Sequence, residues 1–292
     1  MCRIFGFRSV MQSGVHRSLV SADNALMQQS CRHPDGWGVA YYVANAPHVI
    51  KSASAAVSDH LFRHVSGIVT SETVLAHIRK ATQGELSTIN THPFQFGAWV
   101  FAHNGNIAGF DGIRDQLVAR VPPILRRFIL GKTDSEVLFY SILGKMQQRH
   151  ELHRPGFPLA EVASAVREAL VEIESLAGPC HTDNDGPPHE TYLTFVLTNG
   201  HVMLGHQGGK QLFFSAHKQR CPERETCAFY SGECERPPPP ERGFVSHLIF
   251  SSEPLHGDNV WIPLCPGDMV GADGRMQMQR FRAGEPVDRR AH

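Results

Sequence analysis

Short apolar segments rich in strand formers lie on both sides of a helical middle, and strands and helices nowhere alternate one for one. Residues 74–79 (VLAHIR) and 98–103 (AWVFAH) each run into a polar turn and read as strands that end in loops. Residues 192–198 (YLTFVLT) and 201–205 flank Asn199-Gly200, which tolerates the positive φ of a type I′ turn and so predicts a hairpin. Asp273-Gly274 separates MVGA from RMQMQRF in the same manner, and residues 38–43, 211–215 and 247–251 predict further strands. Two helices are expected between the strand blocks. Thr133 and Glu136 have the spacing of a capping box ahead of Val137, Leu138, Ile142 and Leu143. Leu159, Val162, Val166, Leu170, Ile173 and Leu176 form one apolar stripe that stops at Gly178. Without βαβ alternation, the class is α+β with largely antiparallel sheets.

The chain has 292 residues, 41% hydrophobic and 19% charged, which permits one large core or two small ones. We read a single domain over 2–292 with loop insertions at 178–190 and 219–243, the second holding four consecutive prolines at 237–240. Lys and Arg number 28 and Asp and Glu 28, so no net field favours a phosphate backbone or an anionic bilayer. Neither nucleic acid nor membrane is expected as a partner, and small neutral or zwitterionic ligands fit better. No apolar run reaches the roughly 18 residues of a membrane span, and MCRIFGF lacks the n- and h-regions of a secretory signal. A cytoplasmic protein is the expectation. Seven scattered cysteines argue for reduced thiols rather than a disulfide framework.

One of those thiols has a special position. Removal of Met1 would leave Cys2 with a thiol and a free α-amine on one residue. An α-amine titrates at about 7.7 to 8.0, so it can serve as the base for its own side chain near neutrality.

Four blocks follow in the first half of the chain: His77-Ile-Arg79-Lys-Ala-Thr82-Gln-Gly84, Asn90-Thr-His92-Pro-Phe94, His103-Asn104-Gly105, and Gly131-Lys-Thr-Asp134-Ser-Glu136. Taken with Cys2, they resemble in order and spacing the glutaminase domain of class II glutamine amidotransferases, a group of N-terminal nucleophile hydrolases. Asp35-Gly-Trp-Gly, the Thr-Asn-Gly-His segment ending at His201, and Ser252-Glu-Pro-Leu255 extend the likeness to the compact, free-standing branch. That branch includes the amidotransferase-like subunit of fungal glutathione degradation and the γ-glutamyl hydrolase of ergothioneine synthesis.

The resemblance implies a four-layer αββα sandwich and an enzyme that cleaves γ-glutamyl amides without metal or organic cofactor. It implies Cys2 as nucleophile, with the Asn104 side-chain amide and the Gly105 N–H as oxyanion donors. Arg79 would hold the substrate α-carboxylate through its planar fork, and Asp134 the α-ammonium. Thr82 and His92 resemble positions that line or support the substrate pocket, whereas His77 and His103 read as scaffold. Taken singly, each of these residues also has a structural explanation, as helix cap, surface ion pair or turn. The ligand expected is glutamine, a γ-glutamyl peptide or a conjugate.

Two other readings remain: a glutaminase subunit feeding ammonia to a separate acceptor enzyme, or working with a peptidase partner, and a non-catalytic γ-glutamyl-binding scaffold. Cys221, Cys227 and Cys234 are spaced too widely for an ordinary structural zinc site, so no metal ligand is assigned.

Overall fold

The computed structural model describes residues 2–154 and 156–287. Its strands, in chain order, are β1 (Arg3–Gly14), β2 (Trp37–Val43), β3 (Ala46–Ser52), β4 (Thr70–Ile78), β5 (Phe94–Phe96), β6 (Trp99–Asn106), β7 (Tyr192–Thr198), β8 (Met203–His206), β9 (Phe213–Ser215), β10 (Arg242–Phe244), β11 (His247–Ser251), β12 (Ile262–Pro263), β13 (Met269–Ala272) and β14 (Gln277–Phe281). The α-helices are α1 (Leu26–Gln29), α2 (His60–Ile68), α3 (Phe110–Arg120), α4 (Pro123–Arg126), α5 (Asp134–Gln147) and α6 (Leu159–Ala177).

The strands form two sheets, ordered β12-β9-β11-β1-β4-β2-β3 and β10-β14-β13-β8-β7-β6-β5. All strand pairings within them are antiparallel. Alternation along β1 shows how the layers arise. Ile4 points between the sheets, into a core with Leu75, Val100, Ala102, Val196 and Phe250. Phe5 and Phe7 point to the other face, where Leu26, Phe62 and Val65 of α1 and α2 cover them. The second sheet buries Phe101, Phe195 and Leu197 on its outer face against Leu138, Ile142, Val162 and Val166 of α5 and α6. Both faces of each sheet are therefore apolar, and each large aliphatic or aromatic side chain so buried contributes roughly 1.5–3 kcal/mol. The result is the four-layer αββα sandwich of the α+β class.

Local signals set the helix ends closely. Thr133 caps α5 by accepting from the Glu136 N–H at 3.3 Å, and α6 stops at Gly178, where φ is +81°. The capping box is not reciprocal, however: the Glu136 carboxylate turns to the Leu130 and Gly131 N–H groups instead.

Two turns are longer than their dipeptides predict. Asn199 Oδ1 accepts from the N–H groups of His201 and Val202, so β8 starts at Met203 rather than His201. Asp273 likewise ties Arg275 and Gln277, and Met276 takes a positive φ within the turn. The segment 219–243, read as a loop insertion, ends in β10, which pairs with β14. No described helix is long and apolar enough to cross a membrane.

Candidate active site

Register brings the first pieces together. Arg3 of β1 opposes Ile78 of β4, so Cys2 lies against the chain just past β4, where Arg79 and Lys80 follow. The Cys2 Sγ accepts from the Lys80 N–H at 3.3 Å and donates to the Lys80 carbonyl at 3.4 Å. Cys2 is buried, and that burial pushes its thiol above the ordinary cysteine range. A thiol held neutral in this way needs a base before it can attack. The charges of Arg79 and Asp134 both act on it, in opposite directions.

Arg79 is held by the segment it leads. Its guanidinium donates to the carbonyls of Gln83 at 2.9 Å, Glu85 at 3.2 Å and Gly84 at 3.5 Å, and it is buried. The segment is tied at both ends: Asp35 accepts from the Ala81 N–H at 2.8 Å, and Asn90 donates to the Glu85 carbonyl and accepts from the Lys132 N–H. Asp35 and Asn90 were legible only as letters in motifs, since each works through backbone groups far along the chain.

From the other sheet come Asn104 and Gly105, near the end of β6. Asn104 is buried, and its Oδ1 has no partner among the described residues. Gly105 tolerates no side chain, because a Cβ there would lie 1.9 Å from the Tyr192 carbonyl oxygen and 2.7 Å from His103 Nε2. The close approach of neighbouring chains explains the glycine.

Asp134 opens α5, where the helix N-terminus favours an anion. Its Oδ2 accepts from the Ile107 N–H at 2.7 Å and its Oδ1 from the Ser135 N–H at 2.7 Å. The carboxylate thus links the chain just past β6 to the start of α5. Thr133, not Asp134, supplies the N-cap contact.

The remaining residues are placed differently. Thr82 is exposed and lines a cleft of about 520 Å3 with Gln83, Asn106, Ile107, Asp111 and His189. His92 is buried beneath the site, its ring 4.2 Å from that of His77 and 4.7 Å from that of Phe94. His77, reaching from β4, donates through Nε2 to the main-chain carbonyl of His103 on β6 at 3.1 Å. That bond joins the sheet beside Cys2 to the strand of Asn104. Burial holds His77 down at about 3 and His92 well below the ordinary imidazole value, so both rings are neutral.

Among the described residues no group of three His, Cys, Asp or Glu side chains is placed to hold a metal ion. Cys221, Cys227 and Cys234 instead line, with Met11 and His247, a cavity of about 390 Å3 whose lining includes none of Cys2, Arg79, Asn104, Gly105 and Asp134.

Comparison with known proteins identifies the family and the fold. A sequence model of the class-II glutamine amidotransferases matches residues 1–286. The probable glutamine amidotransferase DUG3 of Saccharomyces cerevisiae is 30% identical over 224 residues, covering 70% of this chain and 62% of that protein. A putative glutamine amidotransferase of Haemophilus influenzae is 27% identical over 214 residues, covering 70% and 63%. The chain therefore spans a little over three-fifths of the length of these curated relatives. Over 72 residues, 24% of this chain and 31% of the relative, it is 38% identical to the γ-glutamyl-hercynylcysteine sulfoxide hydrolase of Mycobacterium tuberculosis. Among solved structures, a glutamine aminotransferase class-II domain protein from Silicibacter pomeroyi shares the fold with a TM-score of 0.61 at 21% identity, over 98% of this chain and 100% of that one. With the family model spanning nearly the whole chain, this protein belongs to the class-II glutamine amidotransferases.

Proposed function

We propose that this enzyme hydrolyses γ-glutamyl amides, with Cys2 as nucleophile once Met1 has been removed. The observation that carries the reading is the buried Cys2 thiol, packed on the Lys80 backbone and within the electrostatic reach of both Arg79 and Asp134. A zwitterionic glutamyl end requires such a pair of opposite charges beside the nucleophile.

The chemistry follows from the residues. The Cys2 α-amine takes the thiol proton as sulfur attacks the amide carbon, and delivers it to the departing amine or ammonia. The oxyanion is met by the Asn104 side-chain amide and the Gly105 N–H; each such donor is typically worth about 100- to 1000-fold in rate. Water then cleaves the γ-glutamyl thioester, releasing glutamate and restoring the thiol. Arg79 carries five N–H donors, and its three loop contacts leave others for the α-carboxylate. Asp134 accepts from the α-ammonium, Thr82 lines the entrance, and His92 supports the floor.

The relative from M. tuberculosis is by name a γ-glutamyl hydrolase, which favours a conjugate or peptide over free glutamine as substrate. The test is acid quench of the Met1-free protein during turnover of a γ-glutamyl peptide, followed by peptide mass mapping. A γ-glutamyl adduct on Cys2 with glutamate release is expected; glutamate release without an adduct on Cys2 under any quench would overturn the assignment.

A further inference from the structure

A buried hydrogen-bond relay behind Asp134 has no place in the chemistry above. His103 of β6 is fully enclosed, and its ring touches two groups: Nε2 lies 2.9 Å from the Tyr192 carbonyl and Nδ1 lies 2.8 Å from Ser135 Oγ. A carbonyl only accepts, so Nε2 carries a proton. Burial pushes the imidazole down against the opposing influences of Asp134 and the Tyr192 carbonyl bond, so Nδ1 is a bare acceptor. Ser135 must then donate its single hydroxyl proton to His103.

That commitment matters because Ser135 has an alternative. Its Oγ lies 3.2 Å from Asp134 Oδ1, within donating distance. An ionised carboxylate offers about four acceptor sites. Two are taken by the Ile107 and Ser135 N–H groups, one on each oxygen. A hydroxyl turned toward Oδ1 would take a third and draw charge from the oxygens a substrate ammonium needs. We propose that His103 is a positioning residue, which draws the Ser135 hydroxyl away from Asp134 and so keeps that carboxylate free for the substrate α-ammonium. The inference rests on the γ-glutamyl reading and concerns how that same site recognises one end of its substrate.

The experiment compares two chromogenic amides, γ-glutamyl-p-nitroanilide and glutaryl-p-nitroanilide, which lacks only the α-amine. The readout is the ratio of their kcat/KM values, a selectivity that general damage to the fold lowers equally in both terms and leaves unchanged. In His103→Phe the ring volume is kept and Nδ1 is lost, so the Ser135 hydroxyl turns to Asp134 and the ratio should fall about tenfold. Adding Ser135→Ala removes the competing hydroxyl, and the double variant should recover the ratio to within about threefold of wild type. An unchanged ratio in His103→Phe, or a fall that Ser135→Ala does not relieve, overturns the proposal. If His103→Phe does not fold, as judged by circular dichroism, Ser135→Ala alone decides. A kept ratio supports the relay, and a tenfold fall shows that the hydroxyl serves Asp134 directly and overturns it. Wild-type enzyme that cleaves neither this pair nor a γ-glutamyl peptide would fail the γ-glutamyl reading itself, whereas cleavage of both anilides at equal rates would leave γ-glutamyl hydrolysis standing but remove Asp134 from the α-ammonium role, and with it the present inference.

Discussion

The Cys2 thiol and the Lys80 peptide are joined twice, Sγ accepting from the Lys80 N–H at 3.3 Å and donating to its carbonyl at 3.4 Å. The resting sulfur is therefore a hydrogen-bonded neutral thiol, aimed away from bulk solvent. Its proton must leave before attack, and among the described residues its hydrogen bonds run to the Lys80 backbone and not to an imidazole.

On the proposed mechanism Cys2 is indispensable. Cys2→Ala should lower turnover of a γ-glutamyl substrate by at least about a thousandfold, as for nucleophiles that act as part of a unit. A diazo-ketone glutamine analogue should label Cys2 in the wild type and nothing in the variant. Labelling of the exposed Cys31 or Cys265 instead would move the nucleophile.

A free amine on Cys2 is the second requirement. On the proposed mechanism the α-amine is the base: burial raises the thiol and holds His77, at about 3, and His92 too far down for either ring to keep a proton near neutrality. Protein retaining Met1, separated by intact mass, should show less than about a hundredth of the processed activity, consistent with the general-base contribution. Full activity with Met1 in place would refute the amine as base.

Recognition of the glutamyl end is the third expectation. Charge-assisted hydrogen bonds are worth roughly 1.5 to 3 kcal/mol each. N-acetylation or α-esterification of the substrate should therefore cost at least about tenfold in kcat/KM. Arg79→Lys keeps the charge but loses the fork, and should raise KM more than it lowers kcat. Steady-state kinetics on the blocked and free substrates checks both statements; equal turnover would remove Arg79 and Asp134 from these roles.

The buried histidines predict acid sensitivity. His77 and His247 are held down to about 3 and His206 to about 4, from an ordinary value of 6.5, chiefly by burial. The unfolded chain binds protons on these rings below 6.5 while the folded chain does not, so stability is complete above that pH and is lost as pH falls toward 4. Each such ring adds a slope of up to about 1.4 kcal/mol per pH unit. His247→Phe should flatten the dependence of unfolding free energy on pH by one proton's worth across that window. Denaturant melts at several pH values measure it, and an unchanged slope would show that His247 is not buried as a neutral ring.

What the sequence determined by itself was local or modular. The stripe from Leu159 to Leu176 and its stop at Gly178 follow from helical periodicity and a glycine's freedom at positive φ, and α6 runs Leu159–Ala177. The family resemblance carried by the motif blocks implied Cys2, Arg79, Asn104, Gly105 and Asp134 as one set, since the letters of those blocks can be matched without knowing the fold. Turn lengths were less legible, because Asn199 and Asp273 bond onward along the chain and enlarge loops that their dipeptides predict to be tight.

Tertiary structure decided the rest. Whether Cys2 rests as thiol or thiolate depends on the depth of its burial, which is a property of the layers around it and not of its neighbours in sequence. The part taken by His103 depends on Ser135 and Tyr192, 32 and 89 residues away, which fix its tautomer. His77 was legible only as scaffold, yet its bond to the His103 carbonyl crosses between the two sheets and ties the strand beside Cys2 to the strand of Asn104. Hydrogen-bond direction and proton position are set by what surrounds a group in space, so they appear only when the two sheets close on each other.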